Sequence, residues 1–292
     1  MTQSTATRSY RLLIALVSLV IGPLLMSVGD LFHPARDGAG SLYTIEHFRA
    51  VRDRLAPGGL YCQWLPTYQL DESTLRMIVR TYLQVFPHTR AFIGHYNVGT
   101  PMLGLVGSLE LRQYPFDYMQ TRVRGERLQQ QLKDLALTNS YQLFGCLLAD
   151  ESELRAYSDG AALNTDDHPV VMFAAPRFAY LLNANGYGRL MPFIERVTQG
   201  IDSLVPSDGT NDRVDEFQRQ LYAYIAARNE YMLGMIKDVQ GIEGAGVHAC
   251  IQSARMSEHF DTGYAVAIEV ARRTVGSNPR MTPEIVKKLA AM

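Results

Sequence analysis

Cysteine is scarce in this chain: Cys62, Cys146 and Cys250 stand far apart among 292 residues. Their number is odd, no CxxC pair occurs and no Cys/His ligand cluster accompanies them, which argues against a disulfide framework and a structural zinc site. Three buried or half-buried thiols are expected. An excess of charge of either sign is also lacking. The 28 basic and 29 acidic residues leave a net charge of -1, so no basic surplus exists to neutralise phosphates, and nucleic acid is not expected as a partner. Ser41 and Ser73 lack a nucleophile-elbow context, which leaves a hydrolase without support. His47, His88, His95, His248 and His259 are scattered and read as surface or capping residues. What is present is apolar: 47% of residues are hydrophobic and 20% charged, enough for a sizeable core in one or two domains.

The stretch from Asp30 to Pro66 organises the rest. Residues 30–40, rich in Pro, Gly and Asp, read as a loop. Thr44 can cap a helix whose buried face carries Phe48, Val51 and Leu55 at 3, 4 and 7 spacing. Ala56-Pro57-Gly58-Gly59 ends it, and Leu60 to Leu65 has strand character. A strand before Asp30, a loop, a crossover helix and a new strand make a βαβ unit, which binds ligands at the carboxyl ends of its strands.

Further along, Leu70 to Phe86 carries an acidic capping start at Asp71 and an apolar stripe at helical spacing. Phe92–Gly94 and Met102–Gly107 read as a hairpin-like strand pair. Residues 108–162 are expected to be mostly helical, with a polar helix over 122–137 and apolar anchors at Leu143–Leu148. Val170–Phe173 reads as a short strand that Pro176 ends, and the chain is helical from Phe178 onward. Ser203–Asn211 is the best linker candidate. Asp166, Asp167 and His168 sit side by side in one polar loop. Without distant ligands this is the pattern of a capping turn, and no metal is expected.

Four phrases recur in a familiar order: DLFHPARDGAGSLYT, LAPGGLYCQWLP, VFP at Val85–Pro87 and LNTDDHPVVMFAAPR at Leu163–Arg177. Together they resemble the second half of the catalytic domain of spermidine synthases (polyamine aminopropyltransferases). The likeness is closer to the spermidine synthase-like domains of bacterial membrane-fused proteins. It covers about residues 24–177. It implies an α/β fold: a partial Rossmann-like sheet of the S-adenosylmethionine-dependent methyltransferase type, followed by a helical C-terminal tail. The implied reaction is aminopropyl transfer from decarboxylated S-adenosylmethionine to a polyamine acceptor, weak or absent in this chain alone. Decarboxylated S-adenosylmethionine would be a co-substrate, and no tightly bound cofactor is implied. Asp30 matches the first acid of the family's D-x-x-D-P loop, while His33 stands in place of the second, catalytic acid. An imidazole can serve as a base near neutral pH but does not attract a diamine as a carboxylate does. On the residues alone, Asp30 can equally cap the next segment and His33 can be a solvated loop residue. Tyr43, Gln63, Asp166 and Asp167 are the implied substrate-binding residues, with Trp64 read as core. Nothing before Asp30 resembles the family's glycine-rich nucleoside cradle. A protein partner or a second copy is therefore expected to complete the sheet.

Leu12 to Val28 is almost wholly apolar after a polar start carrying Arg8 and Arg11. Three readings stand beside one another: a signal peptide or anchor with Ser27 and Gly29 at cleavage-compatible places, a short membrane span, or a buried helix followed by a strand at Leu24–Val28 that leads into Asp30. The expectation leans to an inner-membrane association with contact through residues 12–28. The expected organisation is an apolar segment at 1–23, an α/β domain at 24–177 and a helical region at 178–292. A non-catalytic, membrane-associated interaction module derived from the same fold is the alternative function, and a methyltransferase is a third.

Overall fold

A computed structural model describes residues 26–29, 34, 38–125, 129, 139–181, 185–207, 209–242 and 244–277, with 280, 282, 283 and 287. Five strands form one sheet in the order β1 (Met26–Gly29), β2 (Leu60–Pro66), β4 (Met102–Ser108), β3 (His88–Ile93) and β5 (Leu147–Ala149). β1 and β2 are parallel, β4 is antiparallel to both β2 and β3, and β5 is antiparallel to β3. The fold is thus mixed α/β. An all-parallel doubly wound sheet is not formed, because only the β1–β2 pair is parallel. With β4 reversed between them, however, β1, β2 and β3 run in one direction. Their carboxyl ends lie at one end of the sheet.

The first helices form as the side-chain pattern dictates. Thr44 caps α1 (Ile45–Arg52), accepting the backbone N–H of His47 at 3.3 Å. Asp71 caps α2 (Glu72–Leu83) through the N–H of Thr74 at 2.8 Å. Both helices cover the sheet face that carries Tyr61, Gln63 and Leu65, residues two apart on one strand. The Tyr61 ring stacks on Tyr82 at 5.7 Å and meets Phe86 at 5.5 Å and Phe48 at 6.2 Å. Tyr82 anchors this layer by donating to the Tyr61 carbonyl at 2.6 Å.

α3 (Phe116–Val123), α4 (Ser140–Phe144) and α5 (Glu151–Ser158) follow, and a capping box of Asp150 and Glu153 starts the last. The polar helix expected over 122–137 lies mostly outside the described residues. Between α4 and α5 the apolar run does not continue as a helix. Leu147–Ala149 pairs with β3. Val170–Phe173 is not a strand: it opens α6 (Val170–Ala179), with Pro176 inside the helix. A four-residue apolar run does not separate strand from helix by its pattern, and here Asn164 accepts the N–H of Val171 and starts the turn.

Short helices α7 (Met191–Ile194) and α8 (Gly200–Leu204) lead to the long α9 (Asp212–Val239), α10 (Ala245–Met256) and α11 (Thr262–Ser277). α9 and α10 approach closely because Gly234 faces Ala249; a Cβ on Gly234 would fall 1.9 Å from the Cβ of Ala249. The helical region shares one core with the sheet. The fully buried Arg228 of α9 donates to the carbonyls of Gly145 and Leu147 at 2.6 Å each, and Tyr224 meets Tyr96 at 3.2 Å between hydroxyls. The expected boundary at 177 falls inside α6. Leu204 and Val205 of the expected linker are buried. All three cysteines are buried and free.

The expected inner-membrane location is corrected. Among the described residues no helix is long and apolar enough to cross a membrane. The end of the apolar stretch, Met26–Gly29, is a strand hydrogen-bonded to β2, as the strand alternative requires. Residues 12–25 lie outside the described residues.

Candidate functional site

The carboxyl ends of β1, β2 and β3 are where a βαβ unit places ligands. β1 ends at Gly29, which pairs with Gln63 of β2. Asp30 and His33, the expected catalytic pair, follow Gly29 in sequence and lie outside the described residues.

Gln63 is buried and held from two sides. Its Oε1 accepts the Tyr61 hydroxyl at 2.6 Å, and its Nε2 donates to the Trp64 carbonyl at 3.1 Å. Tyr43 is fully buried near Tyr61, and burial raises both phenol pKa values well above the usual range. Neither phenol can act as a base near neutral pH. Trp64 is fully buried, in keeping with a core role, and its indole Nε1 makes no hydrogen bond.

Asp166 and Asp167 are exposed on a tight turn closed by the N–H of His168 donating to the Thr165 carbonyl at 3.1 Å. The turn abuts the start of α1. The N–H of Asp166 donates to Glu46 Oε2 at 3.0 Å. Burial lowers the pKa of His47, and Asp166 partly opposes that shift. Among the described residues no group of His, Cys, Asp and Glu is arranged to hold a metal ion.

Asn164, one residue before this turn, is the clasp that sequence reasoning passed over. It is fully buried. Its Nδ2 donates to the Tyr43 carbonyl at 3.0 Å and its Oδ1 accepts the N–H of Val171 at 3.2 Å. Its backbone N–H donates to Thr81 Oγ1 at 2.9 Å, and its carbonyl accepts the N–H of Ile45 at 2.9 Å. One residue thereby ties the segment before α1 to α6 through its side chain and α1 to α2 through its backbone. The signal was an Asn between an apolar residue and a Thr-Asp-Asp turn, a pattern that fits many exposed loops equally well.

A second segment lies over the same end. The 3-10 turn Tyr187–Arg189 rests on the tip of the β3–β4 hairpin, where a Cβ on Gly186 would approach the Gly99 carbonyl to 2.8 Å. Arg189 is buried, donates to the Thr67 carbonyl at 3.3 Å and to the Asn185 carbonyl, and stacks 4.6 Å from the Phe178 ring centroid. Asn164 thus ties the turn that follows it to Tyr43, while Gln63 is held separately by Tyr61 and Trp64. Arg189 closes the neighbouring corner. No family model, no curated protein and no solved structure matches this chain.

Proposed function

We propose that this chain is a spermidine synthase-like protein of polyamine metabolism that binds a polyamine acceptor at the carboxyl end of β1 and β2. Decarboxylated S-adenosylmethionine is the aminopropyl donor, and turnover by this chain alone is low. One observation carries the reading. The parallel β1–α1–β2 unit leads its first strand directly into Asp30, with the strand's last residue paired to Gln63. The common direction of β1, β2 and β3 supports a Rossmann-like origin for the sheet.

In this reading Asp30 orients the cationic acceptor. His33 takes a proton from the attacking amine less well than a carboxylate would, which lowers turnover. The fixed partners of Gln63 and Tyr43 shape the wall of the site rather than supply acid or base. Calorimetric titration of the full chain with 5′-methylthioadenosine, the nucleoside product, tests the reading. Saturable heat supports it, and a folded sample that gives none contradicts it. His33→Asp should raise aminopropyl transfer; no gain would count against the donor site.

A second reading has its own observation. On α6 and just beyond it, Phe173 is 58% exposed, Leu181 60% and Tyr180 83%. Such an apolar surface suits a protein partner or a second copy of the chain, with no catalysis required. Concentration-dependent self-association lost in Phe173→Asp would favour it.

A further inference from the structure

The opposite end of the sheet holds an unexplained pair of cations. A recess of about 30 Å³ is bounded by Leu60, Val106, Ser108, His88, Arg90 and Phe92, all on the sheet face away from α1 and α2, and is closed by Arg112 and Tyr114. It adjoins a wider cavity of about 270 Å³ that shares His88 and Arg90 and reaches Asp150, Glu151, Arg155 and Ser203. This is the end where the parallel strands begin, away from the carboxyl-end loops.

Neither guanidinium is paired directly with a carboxylate, although the charges of Asp150 and Glu151 act on Arg90. Arg90 Nη2 donates to the Ser203 carbonyl at 2.9 Å and approaches its Oγ at 3.5 Å. Arg112 Nη2 donates to the Gly58 carbonyl, while its Nε is shut off from solvent with no hydrogen-bond partner. Among the described residues no carboxylate lies within 4.0 Å of either. The nearby acids are engaged elsewhere. Glu151 pairs with His88 at 3.1 Å and Arg155 at 2.9 Å, and Asp150 accepts from the N–H of Glu153 at 3.0 Å and the Ser152 hydroxyl at 2.8 Å. Burial raises the pKa of Tyr114 to about 12, and Arg90 and Arg112 both pull against that rise, so both cations lie near one hydroxyl.

A half-buried guanidinium without a directly paired carboxylate bears a desolvation cost that a bound anion would offset. Two planar forks and a hydroxyl around one small space suit an anion with several oxygens better than a two-oxygen carboxylate. The wider cavity is close to the lower size limit of small-molecule sites.

We propose that this amino-end cavity binds a small phosphate-bearing ligand, gripped by Arg90 and Arg112. The site is independent of aminopropyl transfer at the carboxyl end. The test is calorimetric titration of the full chain at low salt with inorganic phosphate and with pyrophosphate. Saturable binding is expected, weakened at least tenfold in Arg90→Gln and in Arg112→Gln. Arg52→Gln, which removes a cation of α1 already paired with Asp53 at the other sheet face, should change affinity less than twofold. Arg112→Lys keeps the charge without the fork and should fall between wild type and Arg112→Gln, which tests the grip if the glutamine variants fail to fold. Absence of saturable heat from the wild type would overturn the proposal, as would equal weakening in Arg52→Gln. Acetate binding as tightly as phosphate would overturn the choice of phosphate.

Discussion

The two ends of the sheet treat their polar groups differently. At the carboxyl end, Gln63 and Asn164 are buried with their amide groups committed to internal partners. At the amino end, Arg90 and Arg112 are half-buried and bonded to backbone carbonyls, with no carboxylate paired directly to either. A buried polar group whose partners all lie within the fold reports on how the fold is held. A cation with no carboxylate paired directly to it leaves room for an anion from outside. By that distinction the expected substrate residues Gln63 and Tyr43, the latter Asn164's partner, belong to the frame of the fold at that end.

The sharpest way to break this contrast is to cut the clasp. Asn164→Ala removes the buried hydrogen bonds to the Tyr43 carbonyl and from the Val171 N–H, and each loss costs roughly 1–3 kcal/mol. A loss of about 3 kcal/mol in urea unfolding is expected; a loss under about 1 kcal/mol would show that the amide is not what holds the loop.

At the other end, Gly58 adopts φ +69°, and a Cβ there would sit 2.3 Å from Arg112 Nη2. Gly58→Ala should cost roughly 1–3 kcal/mol through strain at that backbone position and displace the guanidinium. Unchanged stability with unchanged phosphate affinity would contradict the packing described here.

A double-mutant cycle sharpens the account of Gln63. Gln63→Leu strands the buried Tyr61 hydroxyl and should cost about 1–2 kcal/mol, whereas Gln63→Leu combined with Tyr61→Phe removes both partners and should recover most of that loss. Additive losses would mean the two side chains do not depend on each other.

The smallest effect concerns pH. Burial lowers the pKa of His95 and of His47 below their ordinary value of 6.5. His95 Nδ1 accepts the N–H of Asn97 at 3.2 Å, which requires that nitrogen to be unprotonated. Both rings thus bind a proton more readily in the unfolded chain. Their contribution is fully present above about pH 6.5 and is lost as pH falls through the lower folded values. The urea midpoint should drop between pH 7 and pH 5, with a shallower drop in His95→Gln; parallel curves would exclude the ring.

Much of the first half was legible because its signals are local. The Thr44 and Asp71 caps, the apolar stripe of α2 and the strand after Gly58-Gly59 depend on neighbours within a few residues, and each forms as expected. The hairpin of β3 and β4 was legible for the same reason. The errors came where a short apolar run decides nothing by itself. Met26–Gly29 belongs to an apolar stretch that reads as membrane-seeking, yet it is a strand because β2 lies beside it. Leu147–Ala149 is a strand only because it meets β3, and Val170–Phe173 is a helix because Asn164 and Pro169 start one. The arginine pair was hidden differently. Arg90 lies on β3 and Arg112 beyond β4, and only the folded sheet brings them to one cavity.

The measurement that tests the account most directly is amide hydrogen exchange on the full chain, with and without putrescine and 5′-methylthioadenosine together. The account predicts added protection in residues 38–44, 63–69 and 160–169, with none around Arg90 and Arg112. Protection confined to the amino end, or absent while both ligands are bound, would contradict the placement of the polyamine site at the carboxyl end.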